Sequence, residues 1–193
     1  MKYISMIAFL VFSGFAKAEN TMPDMILEIL LKENLVGRDS GNLVTKEFLL
    51  ECSKSQNTSR YKLECADLLF THSISIFKQN DNKSSVVLII EDGISVENRW
   101  VFQVQGSKYT DVKNSVWPVI TDQVISKLLL QQTGNTKYTA NYVTGVAHSS
   151  YRVQHSSTND LQLLSGIPDE SYGTKLGIIE WDGDKFNFKP SGS

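Results

Sequence analysis

The stretch FTHSISIFKQNDNKSSVVLII, Phe70–Ile90, decides the fold class. Phe70, His72, Ile74 and Ile76 alternate with Thr71, Ser73, Ser75 and Phe77, which is the period-two spacing of a strand. The polar segment QNDNKS makes a turn, and SSVVLII is a β-branched run suited to a central strand. Glu91-Asp92-Gly93 makes a second turn. Beyond it Trp100, Phe102 and Val104 alternate with Arg99, Val101 and Gln103 on a third strand. Short turns between successive strands predict an antiparallel meander.

Toward the N-terminus the period changes to that of a helix. From Thr21 to Gly37, Ile26, Leu27, Leu30 and Leu31 form one apolar stripe. Pro23 suits the first turn, Thr21 with Asp24 imitates a capping box, and Gly37 suits the C-cap. A second helix is expected from Thr45 to about Ser55, with Phe48, Leu49 and Cys52 inward. Cys52 and Cys65 are the only cysteines, and in an oxidising compartment such a pair reads as one disulfide. A loop of this size is worth about 3 kcal/mol in the chain-entropy model.

Toward the C-terminus a helical pattern spans Asn114 to Gly134, with Trp117, Ile120, Val124 and Leu128 on one face and Pro118 in its first turn. Four strand-like segments follow, near 138–147, 151–155, 161–164 and 176–188. In the last, Asp182-Gly183 favours a two-residue hairpin turn that sets Glu180 opposite Lys185 and Ile179 opposite Phe186. The predicted fold is α+β: an N-terminal helical segment stapled by one disulfide, then antiparallel sheet with one long packing helix at about 115–133.

The first eighteen residues carry the marks of a secretory signal peptide. Lys2 is a minimal positive region, Ile4–Phe15 an apolar run, and Ala16-Lys17-Ala18 a small-x-small cleavage site. The run is shorter than the roughly 20 residues a membrane helix needs. Glu19 stands where a lipoprotein would carry cysteine. The expectation is one exported domain at 19–193, periplasmic or secreted, with a short flexible tail from about 190 and no stable membrane span after cleavage. The whole chain has 19 basic and 21 acidic residues, and loss of Lys2 and Lys17 leaves 17 against 21, a net charge of −4. With no basic run or stripe, a nucleic-acid partner is disfavoured.

The chemistry-bearing residues are few. VAHSSYRVQHSST, Val146–Thr158, repeats His-Ser-Ser at His148 and His155. Seven residues apart, the two histidines face opposite sides of a strand. On a helix they lie about 10 Å apart, so a shared metal would need a hairpin and a third ligand such as Asp160. A serine–histidine pair for hydrolysis normally converges from separate elements, and no G-x-S-x-G elbow is present. If such a pair operates, its base is His148 or His155. His72, on the apolar side of its strand, reads as a hydrogen-bonded core histidine. No metal, cofactor or catalytic set is expected. Two N-x-Ser sequons, at Asn57 and Asn82, matter only in a glycosylating host.

The segment SGIPDESYGT, Ser165–Thr174, is the expected contact loop, shaped by Pro168 and presenting Asp169, Glu170 and Tyr172. The functional expectation is a non-enzymatic exported binding protein whose partner is another envelope protein, in concrete form an immunity protein or inhibitor of an envelope-acting hydrolase. The alternatives are an envelope hydrolase or carbohydrate-binding module using Trp and carboxylate residues, and a structural accessory of the envelope.

Overall fold

The computed structural model describes residues 21–36, 44–64, 71–93, 97–138, 150–156 and 160–192. The expected signal peptide, Cys65 and His148 lie outside them. The class is α+β with antiparallel sheet, as expected, but the strands form two sheets. The larger is a six-stranded meander of β1 (Ser53–Asn57), β2 (Arg60–Leu63), β3 (Thr71–Lys78), β4 (Ser85–Asp92), β5 (Glu97–Gln105) and β6 (Lys108–Asp111). The smaller runs in the order β10-β9-β8-β7, from β7 (Tyr151–His155), β8 (Leu161–Ser165), β9 (Lys175–Trp181) and β10 (Phe186–Pro190). The helices are α1 (Asp24–Lys32), α2 (Lys46–Cys52), α3 (Lys113–Val116) and α4 (Asp122–Thr133). No helix among the described residues is long and apolar enough to cross a membrane.

Strand alternation divides the core in two. On β4, Val87 and Ile89 join Leu63, Ile74 and Phe102 under α1, whose Ile26, Leu27, Ile29 and Leu30 are buried there. Val86, Leu88 and Ile90 point the other way. They join Phe77, Val101, the α4 residues Ile125, Leu128 and Leu129, and the inner face of the smaller sheet. The larger sheet is thus the middle layer, which is why β4 reads as a continuous apolar run instead of an alternating one.

The three expected helices need correction. The long helix at 115–133 is two pieces. Pro118 disfavours the helical conformation at the residue before it, and Trp117 is extended with φ −87° and ψ 136°. A new helix starts only at Thr121, whose hydroxyl accepts from the Val124 N–H at 3.4 Å, and Gly134 ends it in the left-handed conformation. The second helix stops at Cys52, and residues 53–57 pair with β2. The Glu64 N–H donates to the Cys52 carbonyl at 3.2 Å, which brings the chain leading to Cys65 back against Cys52. Cys52 is not a free thiol; the expected staple to Cys65 falls outside the described residues. The first helix, too, is shorter than expected: its N-cap is Pro23, with no side-chain cap.

The hairpin is present with its turn centre moved by one residue, which shifts each cross-strand partner by two. Trp181 faces Phe186 and Glu180 faces Asn187. The reason is Asp182. Its carboxylate accepts from the N–H groups of Asp184 and Lys185 at 2.8 and 2.9 Å, which makes Gly183-Asp184 the turn centre. Gly183, at φ +102°, also lies against the Asn80 side chain, where any Cβ would collide. Glu180 reaches Lys189 instead of Lys185. The tip is pinned to the β3–β4 turn: the Trp181 indole donates to the Lys78 carbonyl at 2.9 Å, and the Asn80 N–H to the Gly183 carbonyl at 3.1 Å.

Candidate functional site

With the smaller sheet pinned at the β3–β4 turn, the opposite ends of β3 and β4 and the neighbouring strand β2 are left uncovered on the same face. A cleft of about 780 Å³ opens there. Its size suits a small ligand or a short peptide segment. One wall is the larger sheet, with Arg60 and Lys62 from β2, Thr71 and Ser73 from β3, and Ile90 and Asp92 from β4. The other wall is β7 from Arg152 to His155, with Tyr172 and Gly173 at the rim. Tyr61 and Leu63 alternate with Arg60 and Lys62 and are buried under α1. Neighbouring residues of β2 therefore serve different layers.

The lining is cationic although the chain is acidic. Arg60, Lys62 and Arg152 stand against the carboxylate of Asp92, the one acid lining the cleft among the described residues. Arg152 pairs with Asp92, and its guanidinium carbon lies 5.5 Å from the centre of the Tyr172 ring. An Arg60 Nη donates to the Ser156 carbonyl at 3.1 Å. Lys62 and Lys54 share Glu64, and these two lysines, Lys54 first, hold its carboxyl down at about 2.

At the inner end His155 meets a serine. The Ser75 Oγ lies 2.7 Å from His155 Nε2. Burial, assisted by the Arg60 charge, lowers the imidazole to about 4, so it is neutral at pH 7. The partner comes from β3, a separate element, and not from the serines that follow the histidine in sequence. The arrangement lacks what hydrolysis requires. Ser75 is only 1% exposed, and among the described residues no carboxylate bonds His155 Nδ1. The pair ties β3 to β7. His72 is likewise buried: its Nε2 lies 3.1 Å from both the Leu35 carbonyl and the Glu91 carboxylate, so it carries the proton and donates. No three metal-ligating side chains converge among the described residues.

The strand β7 is an edge, and a buried carboxylate covers it. Glu97 accepts the Val153 N–H at 2.8 Å and pairs with Arg99 at 2.9 Å, while Arg99 stacks 4.1 Å from the centre of the Tyr151 ring. Burial raises the Glu97 carboxyl to about 7, against the lowering pull of Arg99 and the amide.

The expected contact loop forms the rim of this same cleft. Its ends close through Ser165 and Thr174 (N···O 2.8 Å) and Gly173 and Ser165 (3.0 Å). Asp169 accepts from the Ser171 N–H at 2.7 Å and from the Tyr138 hydroxyl at 3.3 Å, and pairs with Lys137 at 3.2 Å. Glu170 also engages Lys137. Pro168, Glu170 and Tyr172 face outward, with Tyr172 50% exposed. The structure thus unites His155 and the loop, and adds Arg60, Lys62, Asp92, Arg152 and Ser75. The first two were visible as alternation in RYKL, where polar and apolar residues change places at every step. No protein-family model, curated protein or solved structure matches this chain.

Proposed function

We propose that this is an exported, non-enzymatic binding protein that engages another protein of the cell envelope through the 165–174 loop and the mouth of the cleft. An immunity protein or inhibitor of an envelope-acting hydrolase is its concrete form. The observation that carries this reading is the loop. It is tied internally by Asp169 and Ser165, yet it turns an aromatic ring and Pro168 outward. A rigid aromatic side chain loses little conformational freedom on binding, and such residues anchor interfaces. Export is inferred from residues 1–18.

The enzymatic alternative draws less support. A hydroxyl as buried as that of Ser75 does not meet a substrate, and sugar hydrolysis requires two carboxyl groups at a defined separation. Asp92 is engaged by Arg152. Trp117 and Trp181 pack against one core cluster and Trp100 against the other, which leaves no row of tryptophans for a sugar platform among the described residues.

Tagged mature protein, residues 19–193, incubated with native envelope extract tests the reading. The expected result is one stoichiometric protein partner by mass spectrometry, with capture reduced by Tyr172→Ala. Absence of a partner, or capture indifferent to that change, contradicts it.

A further inference from the structure

Three cations in one cleft of an acidic protein need a reason. Gathering like charges costs electrostatic energy, and among the described residues Asp92 is the one acid that lines the cleft with them. Their positions are built, not incidental. Arg60 is held by the Ser156 carbonyl, Arg152 lies between Asp92 and the Tyr172 ring, and Lys62 stands beside Glu64. Glu64 is shared with Lys54 and so does not neutralise the group. Counting Arg60, Lys62, Arg152 and Lys54 against Asp92 and Glu64, the cluster keeps two positive charges in excess among the described residues. The chain itself shows which anion suits these groups: a carboxylate, that of Asp92, already lies on Arg152. A guanidinium fork matches carboxylate geometry.

We infer that the cleft receives a carboxylate-bearing anion of about two negative charges, with Arg60, Lys62 and Arg152 as its binding groups and Tyr172 as its cover. Two sources share this chemistry, a free dicarboxylate and an acidic segment of the protein partner. The second source rests on the function proposed above. His155 lies at the inner end, close enough to Arg60 to feel its charge. A bound anion would offset that charge, and the imidazole would titrate at higher pH. The histidine is thus a built-in reporter that a merely structural role for the cleft would leave unmoved.

The test is calorimetric titration of the mature protein with succinate, with an acetylated and amidated Asp-Glu peptide, and with its Asn-Gln counterpart, beside an NMR pH titration of His155. The expectation is binding of succinate or the acidic peptide, none of the amide peptide, and an upward His155 shift. Lys62→Gln should weaken binding by about tenfold, the effect of one lost charge contact. It leaves the Arg60–Ser156 tie intact and gives up a partly exposed ion pair with Glu64, so the unfolding midpoint is measured beside the binding. Arg60→Gln is the second variant, accepted only with an unchanged unfolding midpoint.

Succinate binding without the peptide supports a small-molecule source; peptide binding supports the partner. Equal binding of the amide peptide, an unmoved His155, or tighter binding of inorganic phosphate than of succinate overturns the inference. A protein partner captured equally by the Lys62→Gln variant overturns the partner source and leaves the function proposed above standing. Succinate binding with no protein partner supports the small-molecule source and overturns the function proposed above.

Discussion

The two faces of the six-stranded sheet differ more than the strands that make them. Under α1 the face is apolar and closed, built from Leu63, Ile74, Ile89 and Phe102. On the other face the smaller sheet closes over only part of β3–β5, and the residues beyond it, Arg60, Lys62, Ser73 and Asp92, line a polar cleft. Because side chains alternate along a strand, one residue holds the fold while the next is available to a ligand. If the cleft binds as proposed, stability and binding are separated by a step of a single residue.

The largest test of that contrast lies on the closed face. Ile74→Ala removes a fully buried side chain beneath α1 and should cost about 2–5 kcal/mol in urea unfolding. Ser73→Ala beside it, facing the cleft, should stay within about 0.5 kcal/mol.

A second test uses the two buried titrating groups on the cleft side. Against its ordinary value of 4.5, Glu97 at about 7 binds a proton in the folded state that the unfolded chain has released. Lowering the pH from 7 to 4.5 therefore gains stability from Glu97. His155 runs the other way. Its folded value of about 4 lies below the ordinary 6.5, so its stabilisation is complete above pH 6.5 and lost as the pH falls toward 4. Across pH 4.5–6.5 the two oppose each other. Glu97→Gln keeps an acceptor for the Val153 amide but removes the titration. From pH 7 to 4.5 the variant should lose about 3 kcal/mol relative to the parent protein, measured by unfolding at each pH. Parallel pH profiles would contradict this account.

His72 offers a smaller effect. His72→Phe leaves the buried Leu35 carbonyl without its donor and should cost about 1–3 kcal/mol with partner binding retained. The smallest effect on stability is expected at Tyr172. Tyr172→Ala, at a half-exposed site, should leave the unfolding midpoint within about 0.5 kcal/mol while reducing partner capture.

Much of the closed face was legible because it rests on local period. Alternation from His72 to Phe77 marked β3, and the apolar run at 86–90 marked a central strand. What escaped depended on competition between neighbours. Pro118 was read as opening a helix, yet its effect on Trp117 divided it. Asp182-Gly183 was read as the turn centre, yet the Asp182 carboxylate moved that centre by one residue. The cleft was the least legible, since Arg60 and Lys62 of β2, Asp92 of β4 and Arg152 of β7 meet only through the pairing of distant strands. Ser75 and His155 are 80 positions apart, and no local pattern announces their contact. The 165–174 loop was legible by composition, but not its place at the cleft rim.

The most direct measurement compares Leu63→Ala with Lys62→Glu, adjacent substitutions on β2, each assayed for urea unfolding and for binding of succinate, the acidic peptide and the captured partner. The account predicts a crossed result. Leu63→Ala should lose about 2–5 kcal/mol of stability and, while folded, bind as the parent does. Lys62→Glu should unfold near the parent midpoint and lose binding. If both variants lose stability and binding together, or if Lys62→Glu binds unchanged, the division of the sheet into a folding face and a binding face is wrong.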